Sequence, residues 1–559
     1  MPKFIFVTGG VMSGIGKGLT TASIGKLLQF RGCKVDLVKI DPYLNVDPGT
    51  LNPAEHGESF VTDQVFIFNP APSFQYQTAE VDQDFGTYER FTGRPIHPRN
   101  NITSGQIYLS VILQERLGKF LGSTVQIIPH VTDEIKRRLR EIAAARLEDS
   151  ENFDIILVEV GGTAGDIEAA PFLEAIRQFR LEEGYTNTLL IHVTLVPFIE
   201  TLGEMKTKPT QHSVKQLQSL GLQPDIIVAR TQRKLTENAR KKIALYSNVS
   251  DQAVIANPDL TEIYELPLVF HEQGLDDFIL KKLELEAGPP LGLPAWQQMV
   301  SKFLHHTEHL HVAMPGKYLQ MADTYISIFE ALRHAGSSLG AKISIELFDS
   351  EEIEKKPAIL DRLRGFDGVL LTPGFGTRGT EGMIRTAWTA IENDLPFLGI
   401  CFGCQLLFIA FCRNKLGFER ANSTEINPKT PHPVVDLLPE QRLIKEKGGT
   451  MRLGGHPVKI KDKTLLRKAY ESTRVRERFR HRYHIMWEPA KQAEKHGLIV
   501  SATDPSEKII NAIEIKDQFW VVGTQFHPEY TSRPDCPNPV YVAFIQAMLQ
   551  RQKKKTKQM

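Results

Sequence analysis

The sequence predicts an α/β protein of two doubly wound domains, the first built on a P-loop-like parallel sheet. Three observations carry this. Short runs rich in β-branched residues alternate with helix-like segments, first in "KFIFVTG", "CKVDLVKI", "TVQIIPHV", "FDIILVEVGG", "NTLLIHVTLV" and "PDIIVAR". The rhythm breaks at "AGPPLGLP" and resumes in "LHVAMPG", "KISIELFD", "FDGVLLTPGFG", "LPFLGICFG" and "FWVVGTQFHPEY". The first run also ends in a glycine-rich turn that opens a helix. The chain is therefore read as a first domain 1–284, a linker 285–308, a second domain 309–552 and a basic tail 553–559.

At 559 residues and 41% hydrophobic, the chain can bury two large cores. Lys+Arg (67) and Asp+Glu (66) nearly cancel, so no global field draws nucleic acid or a membrane surface, and neither partner is expected. Five scattered cysteines make no disulfide framework. With no leader-like start and no apolar run of spanning length, a soluble cytoplasmic protein is expected.

"VTGGVMSGIGKGLTTA" is strand, glycine-rich turn and helix. Glycines let successive N–H groups converge on phosphate oxygens, the helix dipole adds to them, and Lys17 supplies a point charge. The spacing departs from GxxxxGK[ST]: Val11 stands at the first glycine, Gly18 follows the lysine, and Thr20 or Thr21 must supply any magnesium-binding hydroxyl. Glu159 ends a buried strand, with Asp166 and Glu168 beyond it, and carboxylates at such strand ends face the ligand crevice. "EVDQDFGTYERF" offers Glu80, Asp82 and Asp84 as further cation ligands, since magnesium is commonly held by one or two carboxylates plus phosphate. In "KTKPTQHSVK", Lys206 and Lys208 precede a helix start, which suits a second polyphosphate or a solvated loop.

In "LGICFGCQLL" a strand, a tight turn and a helix place Cys401 at the bend between Gly399 and Gly403, a nucleophile elbow with cysteine for serine. The helix N-terminus favours thiolate. "QFHPEY" offers His527 as base and Glu529 to orient it. A redox Cys401–Cys404 pair leaves "QFHPEY" unexplained, and zinc lacks a second ligand pair. Cys404 then falls in the helix core. Arg474, Arg476, Arg478, Arg480 and Arg482 alternate along one strand face, read as solvated or interdomain rather than a nucleic-acid patch.

"DPYLNVDPGTLNPAEHGESFVTD", "RNNITSGQIY", "VEVGGTAGDIEAAPFLEAIRQ" and "KTKPTQHSVK" resemble the amidoligase domain of the CTP synthase family. "LGICFGCQ", "ANSTE", "GGTMRLG", "RHRY" and "QFHPEY" resemble its class I glutaminase domain, so the second sheet is expected to be a class I glutaminase sheet. The resemblance implies ATP-dependent amination of UTP through a 4-phosphorylated intermediate, with glutamine as nitrogen donor. It implies Mg2+ on Asp84 and Glu159, CTP as feedback inhibitor, GTP as activator, a homotetramer, and filaments as family members form. Ammonia is expected to pass from Cys401 to the ligase site through a closed passage. Carried over residue by residue, the ATP, UTP and CTP contacts are Ser13, Gly14, Ile15, Gly16, Lys17, Gly18, Leu19, Lys39, Asp84, Asp166, Ile167, Glu168, Lys206, Thr207, Lys208, Pro209, Thr210, Gln211 and Lys242. The glutamine contacts are Gly374, Phe402, Gly403, Cys404, Gln405, Glu425 and Arg482, with Cys401, His527 and Glu529 catalytic.

The chain departs from the family pattern in four places, the mildest being Gly14 and Ile15 of "SGIGKG" where relatives usually have Ser-Leu. Residues 64–78 intervene where relatives have a residue or two, Pro373 removes an N–H beside Gly374, and the segment before "GGTMRLG" is short. The insertion keeps two other readings open: a nucleotide-bound polymer subunit with a disabled ligase site, and another glutamine-dependent amidoligase.

Overall fold

The computed structural model describes residues 2–72, 74–145, 152–286, 288–317, 322–442 and 450–558. By internal packing the chain divides into two compact units. One comprises Met1–Pro48, Phe66–Tyr76 and Val81–Ser301; the other comprises Gly49–Val65, Gln77–Glu80 and Lys302–Met559. The units are thus not two contiguous stretches, because pieces of the first hundred residues belong to the second.

In the first unit, β1 (Lys3–Gly9), β2 (Val35–Asp41), β5 (Asn101–Thr103), β6 (Ile155–Val160), β7 (Thr188–Leu195), β8 (Ile226–Thr231) and β9 (Val254–Pro258) form a sheet. Its order is β9-β8-β7-β1-β6-β2-β5, parallel throughout. The strands are buried on both faces, which is why they read as continuous apolar runs rather than alternating ones. Helices α1 (Lys17–Phe30), α2 (Asp84–Thr92) and α3 (Lys208–Ser219) follow strand ends that bear the candidate site. "TVQIIPHV" is not a strand. Ile127–Val131 is a kinked turn with Ile128 extended (φ −107°, ψ 123°), its Ile127 and Ile128 half exposed, and the short Asn101–Thr103 takes the edge position instead.

Between β2 and β5 the inserted residues pair as β3 (Phe60–Ala71) and β4 (Phe74–Val81), a two-stranded ribbon rather than an irregular loop. The expected linker carries the helix Leu293–Leu304. Its Trp296 is buried beside Phe30, Phe91 and Tyr264 and donates Nε1–H to the Tyr264 carbonyl at 2.8 Å. Burying such a side chain contributes about 2–3 kcal/mol.

In the second unit, β10 (Glu308–Gly316), β11 (Ala341–Asp349), β12 (Gly368–Leu371), β13 (Phe397–Ile400) and β18 (Val521–Thr524) run parallel. Then β17 (Ile510–Ile515), β16 (Leu498–Thr503), β14 (Arg452–Ile460) and β15 (Arg474–His481) extend the sheet antiparallel. Its order is β11-β10-β12-β13-β18-β17-β16-β14-β15. Helix α4 (Phe402–Lys415) leaves β13 at the elbow, and α5 (Pro539–Gln558) continues through most of the expected basic tail. No helix among the described residues is long and apolar enough to cross a membrane.

Candidate active sites

In the first unit the loop after β1 turns through Val11 (φ 78°), Gly14 (φ 73°) and Gly16 (φ 84°), conformations that suit glycine and strain valine. Gly16 caps α1, Lys17 opens it, and the Lys17 ammonium donates to the Gly162 carbonyl at 2.7 Å. Burial pushes the Lys17 pKa down, while Glu159 pulls against that. Ser13 and Gly14 are exposed on the rim, and Leu19 is half-buried. The Ile15 side chain lies in the core, so only its backbone is available to a phosphate. Thr20 and Thr21 do not supply a cation hydroxyl. Thr21 donates to the Lys17 carbonyl at 2.9 Å and Thr20 accepts from Asn257, both inside the packed layer.

β2 and β6 are neighbours, and their register sets Lys39 beside Glu159. The Lys39 ammonium bridges Glu159 Oε1 (2.9 Å) and Asp84 Oδ2, with Asp82 at 3.8 Å. Burial would discharge Lys39, but Asp84 and Glu159 outweigh it and hold the proton firmly. Burial also raises Glu159, and raises Asp82 to about 6. The Tyr88 hydroxyl, one turn after Asp84 on α2, donates to Glu159 Oε2. The sequence reading missed Tyr88, although its i+4 spacing from Asp84 puts the two on one helix face. Glu80, offered as a cation ligand, is not here: it pairs with Arg480 in the second unit.

The Asp84 carboxylate lies directly over the Gly18 Cα, leaving no room for a Cβ. Gly18→Ala is therefore expected to displace Asp84 and lower ATP-dependent synthesis at least about tenfold, with glutamine hydrolysis little changed. Parallel steady-state assays of the two activities check this.

Ser213 of α3 packs onto Gly10 and Gln216 onto Gly165, so α3, the phosphate loop and the loop after β6 meet. Asp166 accepts from the Thr163 N–H (2.6 Å) and hydroxyl (2.8 Å), while Ile167 and Glu168 are exposed. Lys208 and Pro209 open α3, Gln211 donates to Thr207 at 3.1 Å, and Thr210 donates to the Leu195 carbonyl at 3.1 Å. Lys206 pairs with Glu204, and the exposed Lys242, on helix Glu237–Ser247, adds to the positive field there.

In the second unit Cys401 adopts φ 51°, ψ −101° between β13 and α4, the strained turn that an elbow requires. Its sulfur donates to the Arg480 carbonyl at 3.6 Å and accepts from Gln525 Nε2 at 3.5 Å. His527 Nδ1 meets Glu529 Oε1 at 2.7 Å, and the buried Nε2 has no hydrogen-bond partner among the described residues. Burial pulls the His527 pKa down, but Glu529 and Cys401 carry it up to about 10.

A proton held more tightly in the folded state stabilises fully below the unfolded value of 6.5 and is lost as pH rises through about 10. Melting temperature is thus expected to fall between pH 6.5 and 10 more steeply in the parent than in Glu529→Gln.

Gly374 lies 3.8 Å, measured from where a Cβ would stand, from the Phe402 ring. The Gly376 N–H, two residues on, donates to Glu425 at 2.9 Å, and burial raises the Glu425 pKa. Lys317, absent from the sequence reading, pins this turn by donating to the carbonyls of Phe375 (2.9 Å) and Gly376 (2.7 Å) and stands over Phe402 at 4.3 Å. Burial lowers its pKa to about 8. Its place at the end of a strand, in "MPGK", was the available signal.

The Gly403 Cα abuts the Leu371 carbonyl, which leaves no space for a side chain. The Cys404 side chain is fully buried against Gly523, so it is core and only its backbone can face a ligand. Gln405 is committed to the Tyr483 carbonyl (3.0 Å) and Gln525 (3.1 Å). Arg482 donates to Gln441 and Thr450, each at 2.9 Å. The arginine strand is solvated only at its start: Arg474 and Arg476 are exposed, Arg476 pairing with Asp63, whereas Arg478 is buried on the Val61 carbonyl and Arg480 pairs with Glu80. The start of "GGTMRLG" lies outside the described residues.

A cysteine at a strained elbow in a unit that also holds a His–Glu pair, and a glycine-rich loop opening a helix at a lysine, on one chain, suit a glutamine-dependent ligase. The model of the CTP synthase N-terminus matches residues 3–285, and that of class-I glutamine amidotransferases matches 320–547. A CTP synthase of Pyrococcus abyssi is 50% identical over 98% of both chains, and one of Syntrophus aciditrophicus is 47% identical over 99% of both. A solved glutaminase domain of Trypanosoma brucei CTPS with bound acivicin is 34% identical, covering 43% of this chain and 94% of that one, at a TM-score of 0.40. The chain belongs to the CTP synthase family. Neither a catalytically silent polymer subunit nor another kind of amidoligase is favoured.

Proposed function

We propose that the chain aminates UTP at C4: O4 takes the γ-phosphoryl group of ATP, ammonia from glutamine attacks C4, and phosphate leaves with the former O4. The observation that carries this is the convergence of Asp84 and Glu159 on one cation, the Lys39 ammonium, beside Gly18 of the phosphate loop. Mg2+ fits these residues, because two carboxylates already share a positive charge there; when bound, the ion neutralises polyphosphate charge. The N–H groups of residues 13–18 cradle phosphate, with Leu19 behind them. Lys17 supplies a fixed charge, and Lys39 stabilises charge developing during phosphoryl transfer. Asp166, Ile167, Glu168, the stretch Lys206 to Gln211 and Lys242 hold UTP, or CTP as inhibitor.

In the second unit the Cys401 sulfur attacks the glutamine amide carbon. His527, its pKa raised to about 10, keeps at Nε2 the proton it has drawn from the thiol and passes it to the departing ammonia, while Glu529 fixes the imidazole through Nδ1. Gly374 offers an N–H to the oxyanion. Glu425 and Arg482 engage the amino and carboxylate ends of the substrate, and Phe402, Gly403 and the backbone of Cys404 and Gln405 close the pocket. On the same reading GTP activates, four copies assemble, and the enzyme works in the cytoplasm, where its five unpaired thiols stay reduced. UTP labelled with oxygen-18 at O4 tests the intermediate. The label is expected in inorganic phosphate; label lost to water alone would sink the phosphorylated species.

A further inference from the structure

Both reactive side chains of the glutaminase site are braced by residues from the first hundred of the chain, within the same compact unit. The Arg480 carbonyl accepts the Cys401 thiol, and the Arg480 guanidinium donates Nε–H to Glu80 Oε1 at 2.6 Å. Glu80 is 1% exposed, and its other carboxylate oxygen packs onto Gly49, where no Cβ would fit. Behind His527, Tyr530 stacks on the imidazole at 5.1 Å and 18°, meets Phe60 edge-on at 5.1 Å, and donates to the Ser59 carbonyl at 3.3 Å.

We propose that Glu80 is a positioning residue of the glutaminase site: by fixing Arg480 it fixes the acceptor that directs the Cys401 sulfur and holds a guanidinium charge beside it. This rests on the reading of Cys401 as the nucleophile. A cation near sulfur favours thiolate, and the Arg480 guanidinium, about one-fifth exposed, keeps its charge in any setting but is held in one place by Glu80. Burial works against the Arg480 charge; Glu80, Tyr530 and Cys401 outweigh it and hold the proton more firmly than usual. The charged and titratable groups coupled to Cys401 are Arg480, His527 with Glu529 behind it, Tyr530 and Cys404. Arg480 is the permanently charged member of that set. Glutamine hydrolysis thereby depends on a residue of the β3–β4 ribbon, four positions before Asp84.

The test uses the full chain. Glu80→Gln, Glu80→Asp and Cys401→Ser are compared for glutamate release from glutamine and for the pH dependence of Cys401 alkylation by iodoacetamide, with Cys401→Ser as background. Glu80→Gln is expected to lower kcat for glutamate release at least about tenfold with little change in KM, and to move the alkylation profile about one pH unit upward, because the guanidinium, no longer held, turns from the sulfur toward solvent. Glu80→Asp is expected to recover part of both. Should Glu80→Gln fail to fold, the paired Glu80→Gln/Arg480→Met chain, which leaves no lone buried charge, is expected to show the same upward move. An unmoved alkylation profile overturns the proposal, whether or not glutamate release falls, because a merely structural role lowers turnover without changing the sulfur's ionisation. Glutamate release undiminished in Cys401→Ser overturns instead the nucleophile reading beneath it.

Discussion

Replacing Cys401 by Ala is expected to reduce glutamine-dependent CTP formation by at least about a thousandfold, because no other group can form the thioester. CTP formation from added ammonium is expected to persist, since the ligase chemistry uses ammonia whatever its source. The expectation rests on local geometry: a strained φ of 51° puts the sulfur at the mouth of α4, and His527 carries a partnered Nδ1 and an unpartnered Nε2. Cys404, three residues on, offers no substitute, because its thiol is fully buried and burial raises its pKa well above the ordinary range. The two nitrogen sources assayed side by side decide it. Glutamine-dependent turnover within about tenfold of the parent would place the nucleophile elsewhere.

Asp84→Asn is expected to remove synthesis from glutamine and from ammonium alike, by about a hundredfold or more, while glutamate release continues. Asn keeps the shape but gives up the charge that balances Lys39 and that a divalent ion would need. Glu159 remains to pair Lys39 at 2.9 Å, so folding is expected to survive, and a melting curve separates lost chemistry from lost structure. This variant also bears on the inserted ribbon. β3 and β4 take up the extra length as paired strands, and the Asp84 N–H still caps onto Asp82 at 2.9 Å before α2 begins. An insertion closed on itself costs little where its ends already lie together.

The sequence made the strand ends legible, because a parallel sheet buried on both faces leaves long apolar runs and the chemistry sits where they stop. Lys17, Glu159, Cys401 and His527 were readable for that reason. Side-chain direction was less so. Glu80, Asp82 and Asp84 lie within five residues, yet Glu80 belongs to Arg480, 400 residues on, and Asp84 to Lys39, 45 residues back, a choice made by partners far along the chain. Thr20 and Thr21 looked free to bind a cation until the helix turned them toward Asn257 and the Lys17 carbonyl. "TVQIIPHV" has strand composition but pairs with no strand among the described residues, and folds as a kinked turn leading into the helix Thr132–Ala143. Composition describes a segment; pairing decides what it becomes.

The most direct measurement is CTP formation followed by absorbance, with purified protein, ATP, UTP and magnesium, and ammonium chloride in place of glutamine. Product is expected, because Asp84, Glu159 and Lys39 meet beside the phosphate loop despite the ribbon inserted before Asp84. No product from a folded chain that still hydrolyses glutamine through Cys401 would contradict the account at its centre.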